Sequence, residues 1–331
     1  MKTYDVVGVC NALVDILIEV HEHDLSKLEL RKGVMHLVDG ARQSTILKHF
    51  AGRPQTVELG GSGMNAIRTL ASLGRKTAFT GMVGPDEFGN RIATRMEQLG
   101  ILSHIASANG EHLADGEGTG SCVILITPDG ERTMNTNLGV SSRYSKADIP
   151  FDTIKRAKVM HFTGYQWDTP RQKEAIMAAI AAGKEHGTLI SFDLADPFVV
   201  ERHREELQQI VRDEADIVFA NKEEAKLLYN NTPELAAEKI AGTGAIAVIK
   251  LGAEGALVRS GADAIKIAPV PTKVVDTTAA GDMFAAGFLN GFSLGRELNV
   301  CGHMAATLAS DVISRIGATV SQNALGTVSK L

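Results

Sequence analysis

Cysteine, aromatic side chains and long apolar runs are all scarce in this sequence. The three cysteines, Cys10, Cys122 and Cys301, are too few and too widely spaced for a disulfide framework or a zinc site, and we expect buried thiols in a reducing compartment. No apolar run approaches the length of a membrane span. The N-terminal stretch MKTYDVVGVCNALVD lacks the apolar core and the cleavage pattern of a signal peptide. The sequence therefore predicts a cytoplasmic protein.

An excess of basic residues and a Walker-type phosphate loop are also missing. The formal net charge is −5 and no basic stripe occurs, which argues against nucleic acid as a partner. The pattern G-x-x-x-x-G-K-[ST] does not occur, because Glu185 follows the Gly183-Lys184 pair. Any phosphate bound by this chain has to be held by a different arrangement.

Hydrophobic residues make up 44% of the 331 residues, enough for the core of a large α/β domain. After residue 75, amphipathic helical patterns alternate with the apolar segments KTAFTGMVG, KVMHFTG, TLISFDL, ADIVFAN and AIAVIKLG. This alternation predicts a parallel sheet with helices on both faces, and no linker divides the chain. Two other regions, about 15–38 and 112–137, contain strand patterns and a hairpin turn at Pro128-Asp129-Gly130, and they predict a small separate sheet.

The glycine loop in VELGGSGMNAIRTLASLG has two interpretations. Gly61, Gly63 and Ala66 fit the dinucleotide pattern G-x-G-x-x-G/A, so one alternative is an NAD-dependent oxidoreductase. That pattern also requires an acidic residue at the end of the next strand. The corresponding stretch, TGMVGPDEFG, places glycines and a proline there before any acid, so the pattern lacks its partner.

The second interpretation is a site for sugar hydroxyl groups. Glycines let a backbone approach a ligand closely, and the amide of Asn65 both donates and accepts hydrogen bonds. Asp15 follows the first strand, with Asn11 before it, and a carboxylate there can accept from two neighbouring hydroxyls. Each residue also has an ordinary structural explanation, namely a turn or strand end for Asp15 and a helix cap for Asn65. The hypothesis of a sugar site depends on the glycine loop, Asn11, Asp15 and Asn65 coming together in the fold.

The stretch VVDTTAAGDMFAAGFLNG sets one acid among very small residues. In the simpler interpretation it begins a helix, with Thr277 or Thr278 as the cap and Asp282 in the first turn, where a carboxylate suits the helix dipole. In the other interpretation, the small residues leave backbone N–H groups free to bind an anion, and Asp282 is a base beside that anion.

This stretch resembles the C-terminal motif of the ribokinase-like sugar and nucleoside kinases, the PfkB carbohydrate kinase family. Further stretches resemble motifs of the same family in the same order: the glycine loop with Gly60, Gly61 and Asn65, then GMVGPDEFG, then N-x-x-E at Asn221 and Glu224, then KLGAEGAL with Gly252 and Gly255. The resemblance covers nearly the whole chain. It implies an ATP-dependent kinase with a ribokinase-like parallel-sheet sandwich, helices on both faces and a small β-sheet lid.

The resemblance also implies roles for the residues that transfer the phosphoryl group. Ala279, Ala280 and Gly281 would form an anion hole for the phosphoryl group that passes from ATP. Asp282 would take the proton of the attacking hydroxyl, and its position in the positive field of the helix should keep it ionised. The substrate hydroxyls would bind the glycine loop, Asn11 and Asp15.

Further implied roles concern the nucleotide and the ions. Asn221 and Glu224 would organise Mg²⁺ through water, and Arg132 would be either a second phosphate clamp or a solvated hairpin arginine. The remaining assignments are Gly252, Gly255 and His303 to the nucleotide, and Asp276 and Thr278 to a monovalent cation such as K⁺. The segments 15–38 and 112–137 would form a lid that excludes water from the acceptor, in a monomer or a lid-mediated homodimer.

The acceptor stays open between two classes of small molecule. FDLADPFVV, NLGVSSRYS and GHMAATLA resemble adenosine kinases, whereas DTTAAGD is more similar to ribokinases. Adenosine kinases usually have Gly in place of Ala279 and often Asn in place of Thr278. We expect transfer to the hydroxymethyl oxygen of an adenosine-like nucleoside, with a free sugar such as ribose or fructose as the alternative. An inactive nucleotide-binding regulator is a third interpretation.

Overall fold

The structure is a computed structural model that describes residues 2–108 and 117–331. The strands are β1 (Tyr4–Val9), β2 (Leu13–Glu19), β3 (Met35–Leu37), β4 (Thr56–Gly60), β5 (Thr77–Val83), β6 (Leu102–Ser107), β7 (Thr119–Ile126), β8 (Arg132–Gly139), β9 (Ala157–Thr163), β10 (Leu189–Asp193), β11 (Ile217–Asn221), β12 (Ile246–Lys250), β13 (Ala256–Ser260) and β14 (Asp263–Ile267). The helices are α1 (Glu22–Lys27), α2 (Gly40–His49), α3 (Ser62–Ser72), α4 (Glu87–Gln98), α5 (Phe151–Lys155), α6 (Pro170–Glu185), α7 (Pro197–Asp213), α8 (Lys222–Tyr229), α9 (Pro233–Ala241), α10 (Ala280–Ser293), α11 (Leu298–Val312) and α12 (Gln322–Val328).

Nine strands form one sheet, called the main sheet here, in the order β14-β13-β12-β11-β10-β9-β1-β5-β6. The strands from β12 to β6 in that order are parallel, as apolar strands between amphipathic helices predict. At one edge β13 and β14 are antiparallel, so the sheet is mixed and not wholly parallel. The reason is the connection between them, which consists only of Gly261 and Ala262, since two residues can join only antiparallel neighbours.

Helices cover both faces of the main sheet, and each face has its own hydrophobic core. On one face the rings of Phe162 and Phe192 stack 4.8 Å apart, and on the other Phe219 contacts Phe288 edge to face at 5.5 Å. Phe288 belongs to α10, an almost wholly apolar helix that packs against α3 and α11. A helix that is apolar all round is buried in a core, so the position of its N-terminus is fixed by packing.

The other five strands form a second sheet in the order β3-β8-β7-β2-β4. Its presence confirms the small separate sheet, and β7 and β8 are the two strands of the predicted hairpin. One strand of this sheet was not predicted from the sequence. It is β4, the strand before the glycine loop, which pairs with β2. Residues 112–116 of the expected segment lie outside the described residues. Beneath this sheet lies a small core with α1 and α2, which includes Ile16, Ile18, Ile46, Phe50 and Val123.

Two expectations drawn from absent features can be compared with the structure. The three thiols are free and buried, as their number and spacing predict. Within residues 2–108 and 117–331, no helix combines the length and the apolar character needed to cross a membrane.

Candidate active site

A cavity of about 920 Å³ lies between the second sheet and the carboxyl edge of the main sheet. The ends of β9, β10, β11 and β12 reach it, at the edge where parallel sheets bind their ligands. Most of the residues selected from the sequence line this cavity: Asn11, Asp15, Gly61, Asn65, Arg132, Asn221, Glu224, Gly252, Gly255, Thr278, Ala279, Ala280, Gly281 and Asp282. Those that do not line it are Gly60, Asp276 and His303.

The N-terminus of α10 lies at the cavity, and no side chain in the part of the chain that the structure describes caps it. The expected cap by Thr277 or Thr278 is wrong, because the cap position falls at Ala279, whose methyl group cannot accept a hydrogen bond. Ala279 has a left-handed backbone (φ 55°, ψ 10°), a conformation that costs an alanine about 1–2 kcal/mol and is typical of functional sites. The first N–H groups of α10 therefore lack a side-chain acceptor, and such groups can bind an anion.

Asp282 lies in the first turn of α10, and two side chains of α3 hold its carboxylate. Ser62 Oγ donates to Oδ1 at 2.5 Å, and Asn65 Nδ2 donates to Oδ2 at 2.9 Å. Burial raises the pKa of Asp282 from 3.8 to about 6, although both hydrogen bonds lower it. A carboxylate with this pKa is still mostly ionised at pH 7, and its pKa lies closer to neutrality, where a general base is most effective.

The glycine loop supplies the partners of Asp282. The structure does not place Asn65 at a helix cap, because the N-cap of α3 is Gly61, with φ 89°. The amide of Asn65 instead joins Asp282 to Arg68, whose Nη1 donates to Asn65 Oδ1 at 3.2 Å. Sequence reasoning missed Ser62. Its position between two glycines at a helix start was the only signal.

The same loop does not belong to a dinucleotide-binding unit. In such a unit the strand before the loop lies in the parallel sheet. Here that strand is β4, which belongs to the second sheet and runs antiparallel to β2. Gly63 is required for another reason, since a Cβ there would lie 2.0 Å from Cys10 Sγ. The match of Gly61, Gly63 and Ala66 to the pattern therefore gives no support to an oxidoreductase.

Asp15 is buried within β2 and borders the cavity, so the explanation as a turn or solvated strand end is wrong. A Cβ at Gly60 would lie 2.1 Å from Asp15 Oδ1, so Gly60 makes room for the carboxylate without lining the cavity. Burial and then the charge of Asp282 raise the pKa of Asp15 from 3.8 to about 7. Nearby, Asn11 Oδ1 accepts from Gln172 Nε2 at 2.6 Å, which leaves the Asn11 amide N–H groups available as donors.

Arg132 is buried, and its Nη2 donates to the carboxylate of Asp276. The alternative of a solvated hairpin arginine is therefore wrong. Arg132 Nε and Nη1 have no hydrogen-bond partner within the described residues, and the phosphate contact stays a prediction. Asp276 also accepts from the backbone N of Thr278 and of Gly317, each at 2.9 Å. Because a guanidinium and two N–H groups already surround this carboxylate, a monovalent cation at Asp276 does not fit.

Two charged residues that sequence reasoning missed end strands of the main sheet at the cavity. Lys250 ends β12 and Asp193 ends β10, and Lys250 Nζ lies 3.1 Å from Asp193 Oδ2. Burial lowers the pKa of Lys250, but Asp193 and Glu224 together outweigh it and raise the pKa above its usual value, so the side chain is an ammonium. The available signal was a charged residue directly at the carboxyl end of an apolar strand.

Asn221 and Glu224 bind each other at the N-terminus of α8. Asn221 Oδ1 accepts from the backbone N of Glu223 and of Glu224, at 2.8 and 2.9 Å. Glu224 in turn accepts from the backbone N of Asn221 at 2.7 Å and from its Nδ2 at 2.5 Å. This is a capping box, so the N-x-x-E spacing has a structural explanation in addition to its predicted role. Burial raises the pKa of Glu224 from 4.5 to about 7.

The acidic side chains of the cavity suit Mg²⁺ only when the phosphate groups of a bound nucleotide supply further ligands to the ion. Within the described ranges, no three His, Cys, Asp or Glu side chains are grouped so that they could hold a metal ion. Single carboxylates do line the cavity, and those beside the N-terminus of α10 and the ends of β10 and β11 are Asp282, Asp193 and Glu224. Mg²⁺ usually keeps several waters and is bound by one or two carboxylates together with substrate phosphates. The donor set therefore suits an ion that is held chiefly by a nucleotide.

Small residues line the part of the cavity beside β12 and α11. Gly252 and Gly255 bound a short 3₁₀ turn after β12, with φ of 64° and 87°. From α11 the lining residues are Ala306, Ala309 and Ser310, and Ile313 follows directly after the helix. His303, on the same helix, is exposed and does not line the cavity, so the nucleotide contact expected of it has no support in the geometry.

Comparisons with known proteins agree on one family. The family model described as "pfkB family carbohydrate kinase" matches residues 48–325. The crystal structure of a probable sugar kinase from Rhizobium etli is 34% identical, with a TM-score of 0.91 over 100% of this chain and 99% of the other. The adenosine kinase from Sinorhizobium meliloti is also 34% identical, with a TM-score of 0.91 over 99% and 98% of the two chains. The adenosine kinase of Saccharomyces cerevisiae is 26% identical over 337 residues, covering 95% of this chain and 96% of that protein.

Proposed function

The chain belongs to the pfkB family of carbohydrate kinases, which makes it a phosphotransferase acting on a sugar or a nucleoside, and we propose that its acceptor is an adenosine-like nucleoside. Kinases of this family use ATP, usually with Mg²⁺. The γ-phosphoryl group of ATP is transferred to the hydroxymethyl oxygen of the nucleoside, with Asp282 as the general base.

The observation that carries the catalytic part of this proposal is the position of Asp282 beside an uncapped helix N-terminus. The hydroxymethyl oxygen forms a bond to the γ-phosphorus, and the bond from that phosphorus to the bridging oxygen breaks, so ADP leaves with the electron pair. Asp282 accepts the proton of the attacking hydroxyl. The Gly281 N–H binds an oxygen of the transferred group while it is in flight, and the Ala280 N–H, which already donates a long hydrogen bond of 3.3 Å to Thr277 O, is shared with a second oxygen.

Asn221 and Glu224 are the residues assigned to Mg²⁺, through water. When bound, the ion neutralises charge on the phosphate oxygens. Both residues line the cavity, and the second lone pairs of the Glu224 oxygens are the acceptors left for water.

The apolar lining of the second sheet supports a nucleoside over a free sugar. The large apolar side chains of this sheet that line the cavity are Leu13, Met35, Leu37, Ile124, Met134 and Leu138, and they outnumber the polar lining residues Asp15, Arg132 and Thr136. A free sugar presents hydroxyl groups on all sides and gains little from such a surface, whereas a planar base buries apolar area against it. Asp15 and Asn11, at the same sheet, are the polar groups that bind the ribose hydroxyls.

A free sugar such as ribose or fructose is the second candidate, and one observation favours it. Ala279 has a left-handed backbone, which glycine adopts without strain, and adenosine kinases usually have Gly there. The chain thus keeps the alanine of ribokinase-like sequences despite its cost.

The test is ADP release with Mg-ATP and each of adenosine, inosine, ribose, fructose and fructose 6-phosphate. The proposal expects the highest kcat/KM with a nucleoside. A higher value with ribose or fructose would establish the sugar alternative. Binding of ATP without ADP release from any acceptor would favour the inactive regulator, and Asp282→Asn serves as the matched control for chemistry at this site.

A further inference from the structure

Negative charge surrounds the place where the proposed transfer occurs. Asp193, Glu224 and Asp282 all line the cavity there, and a polyphosphate adds more negative charge. Among the described lining residues the basic side chains are Lys250 and Arg132. Arg132 is paired with Asp276, which does not line the cavity. Of the two, Lys250 is the cation that acts on Asp193, Glu224 and Asp282, whereas Arg132 acts on Asp276 and Asp15.

The position of Lys250 relative to α10 adds a second observation. A Cβ placed on Gly281 would lie 3.1 Å from Lys250 Nζ, so the ammonium lies against the first turn of α10. Asp193 holds it there through both carboxylate oxygens, at 3.1 and 3.3 Å. The side chain of Asp193 is only 4% exposed and that of Lys250 15%, so the pair is sheltered from solvent but open to the cavity.

We propose that Lys250 binds the transferring phosphoryl group at the N-terminus of α10 and stabilises its charge, and that Asp193 positions Lys250 for this role. The inference rests on the proposed phosphoryl transfer. Lys250 forms no covalent bond and moves no proton. Its ammonium donates hydrogen bonds to phosphoryl oxygens, and its fixed position means that little reorganisation is needed during the reaction.

A purely structural ion pair is the competing explanation, and a pair of variants separates the two. Lys250→Met removes the charge and keeps the length, but it leaves Asp193 buried without a partner, so it can destabilise the fold. The double variant Lys250→Met with Asp193→Asn leaves no unpaired charge. Lys184→Met is the matched control, because Lys184 also pairs with an acid, Glu214 at 2.9 Å, but does not line the cavity.

Three readouts follow from a direct role of Lys250. We expect kcat to fall roughly 10²–10³-fold in both the single and the double variant, with little change in the acceptor KM. The affinity for Mg-ATP should fall roughly tenfold while that for Mg-ADP changes less, measured by titration calorimetry without acceptor. In Lys250→Met the acidic limb of the pH–rate profile should move to higher pH, because the Lys250 charge lowers the pKa of Asp282. In the double variant this shift should not appear, because Asp193, whose charge raises the same pKa, is neutral as well.

The calorimetric arm keeps the inference testable if no acceptor of the panel is phosphorylated. In that case the proposed function fails, and the preference for ATP over ADP alone decides the role of Lys250. Recovery of normal kcat in the double variant, or an unchanged ATP preference in both variants, would show that the pair is only structural. Lys184→Met is expected to match the unmodified protein in kcat and in both affinities.

Discussion

The main sheet and the second sheet border the same cavity but contribute different chemistry. The main sheet brings ionic groups to the ends of its strands, with Asp193 on β10, Glu224 just after β11 and Lys250 on β12. The second sheet brings mostly apolar side chains, with Asp15 as its buried carboxylate and Arg132, which pairs with Asp276, as its basic residue. Apart from the predicted phosphate contact of Arg132, the groups assigned to phosphoryl transfer therefore lie in the part of the molecule held by the two large cores, and those assigned to the acceptor lie at the small sheet.

This division has a physical reason. Parallel strands end together at one edge, so charged residues placed there converge without distorting the sheet, and the buried α10 adds an anion site between them. The second sheet has its own small core with α1 and α2. Its cavity face can change to suit a different acceptor while the ionic groups of the main sheet stay in place. The predictions test whether the two sheets separate in function as they do in structure.

The largest effect is expected at α10, on the main-sheet side. Asp282→Asn removes the base, and kcat should fall roughly 10²–10⁴-fold while the acceptor KM changes little. Steady-state kinetics with the acceptor that the protein uses will measure this. The pKa of Asp282 is raised in the folded state, so its ionisation opposes folding above that pKa, and the variant should melt no lower at about pH 8. A residue that only suits the helix dipole would instead leave kcat normal and lower stability by about 0.3–1 kcal/mol.

A smaller effect of a different kind is expected on the second sheet. Asp15→Asn keeps the size of the side chain beside Gly60 but replaces one carboxylate oxygen by an NH₂ group, which weakens the hydrogen bonds to two sugar hydroxyls. The acceptor KM should therefore rise by roughly 10–100-fold. The KM for ATP should stay near its normal value. If the ATP KM rises as much as the acceptor KM, the two sheets are not separate in function.

The pH dependence of kcat distinguishes the two acids further. Asp282 acts as a base only when ionised, and burial raises its pKa to about 6, so kcat should fall about tenfold per unit below that pH. Burial and the Asp282 charge raise the pKa of Asp15 to about 7. At low acceptor concentration, where the rate also depends on acceptor binding, the fall in rate toward acidic pH should therefore begin at a higher pH than the fall in kcat. Rates at saturating and at limiting acceptor, measured across the same pH range, will show whether the limbs differ. Identical limbs would contradict separate roles.

The smallest effect is expected from the monovalent cation. Arg132 and two backbone N–H groups already donate hydrogen bonds to the Asp276 carboxylate, so a monovalent cation does not fit there. Replacing K⁺ by tetramethylammonium at constant ionic strength should therefore leave kcat and KM unchanged. Arg132→Met is the companion variant, because it frees the carboxylate. Strong activation of the unmodified protein by K⁺ would show that the guanidinium does not take the place of the ion.

Much of the fold followed from local patterns. Apolar strands alternating with amphipathic helices predicted the parallel part of the main sheet, and Pro128-Asp129-Gly130 predicted the hairpin of β7 and β8. Such patterns reflect burial and turn geometry, which act over a few residues. The membership of β4 in the second sheet was missed, since β4 pairs with β2, a separate segment of the chain. The antiparallel edge was missed for a different reason, because the short strands β13 and β14 were not themselves predicted from the sequence.

The order of residues is enough to identify the side chains that can do the chemistry, namely an acid after very small residues, a glycine loop and an N-x-x-E spacing. The partners of these side chains depend on how the chain folds. Ser62 and Asp282 are 220 residues apart in the chain, and Arg132 and Asp276 are 144 apart, yet each pair is in direct contact. The pKa values of Asp15 and Asp282 likewise depend on burial between the two sheets. Hydrogen bonds, ion pairs and desolvation act between neighbours in space, and the folding of the chain, more than its local pattern, decides which residues become neighbours.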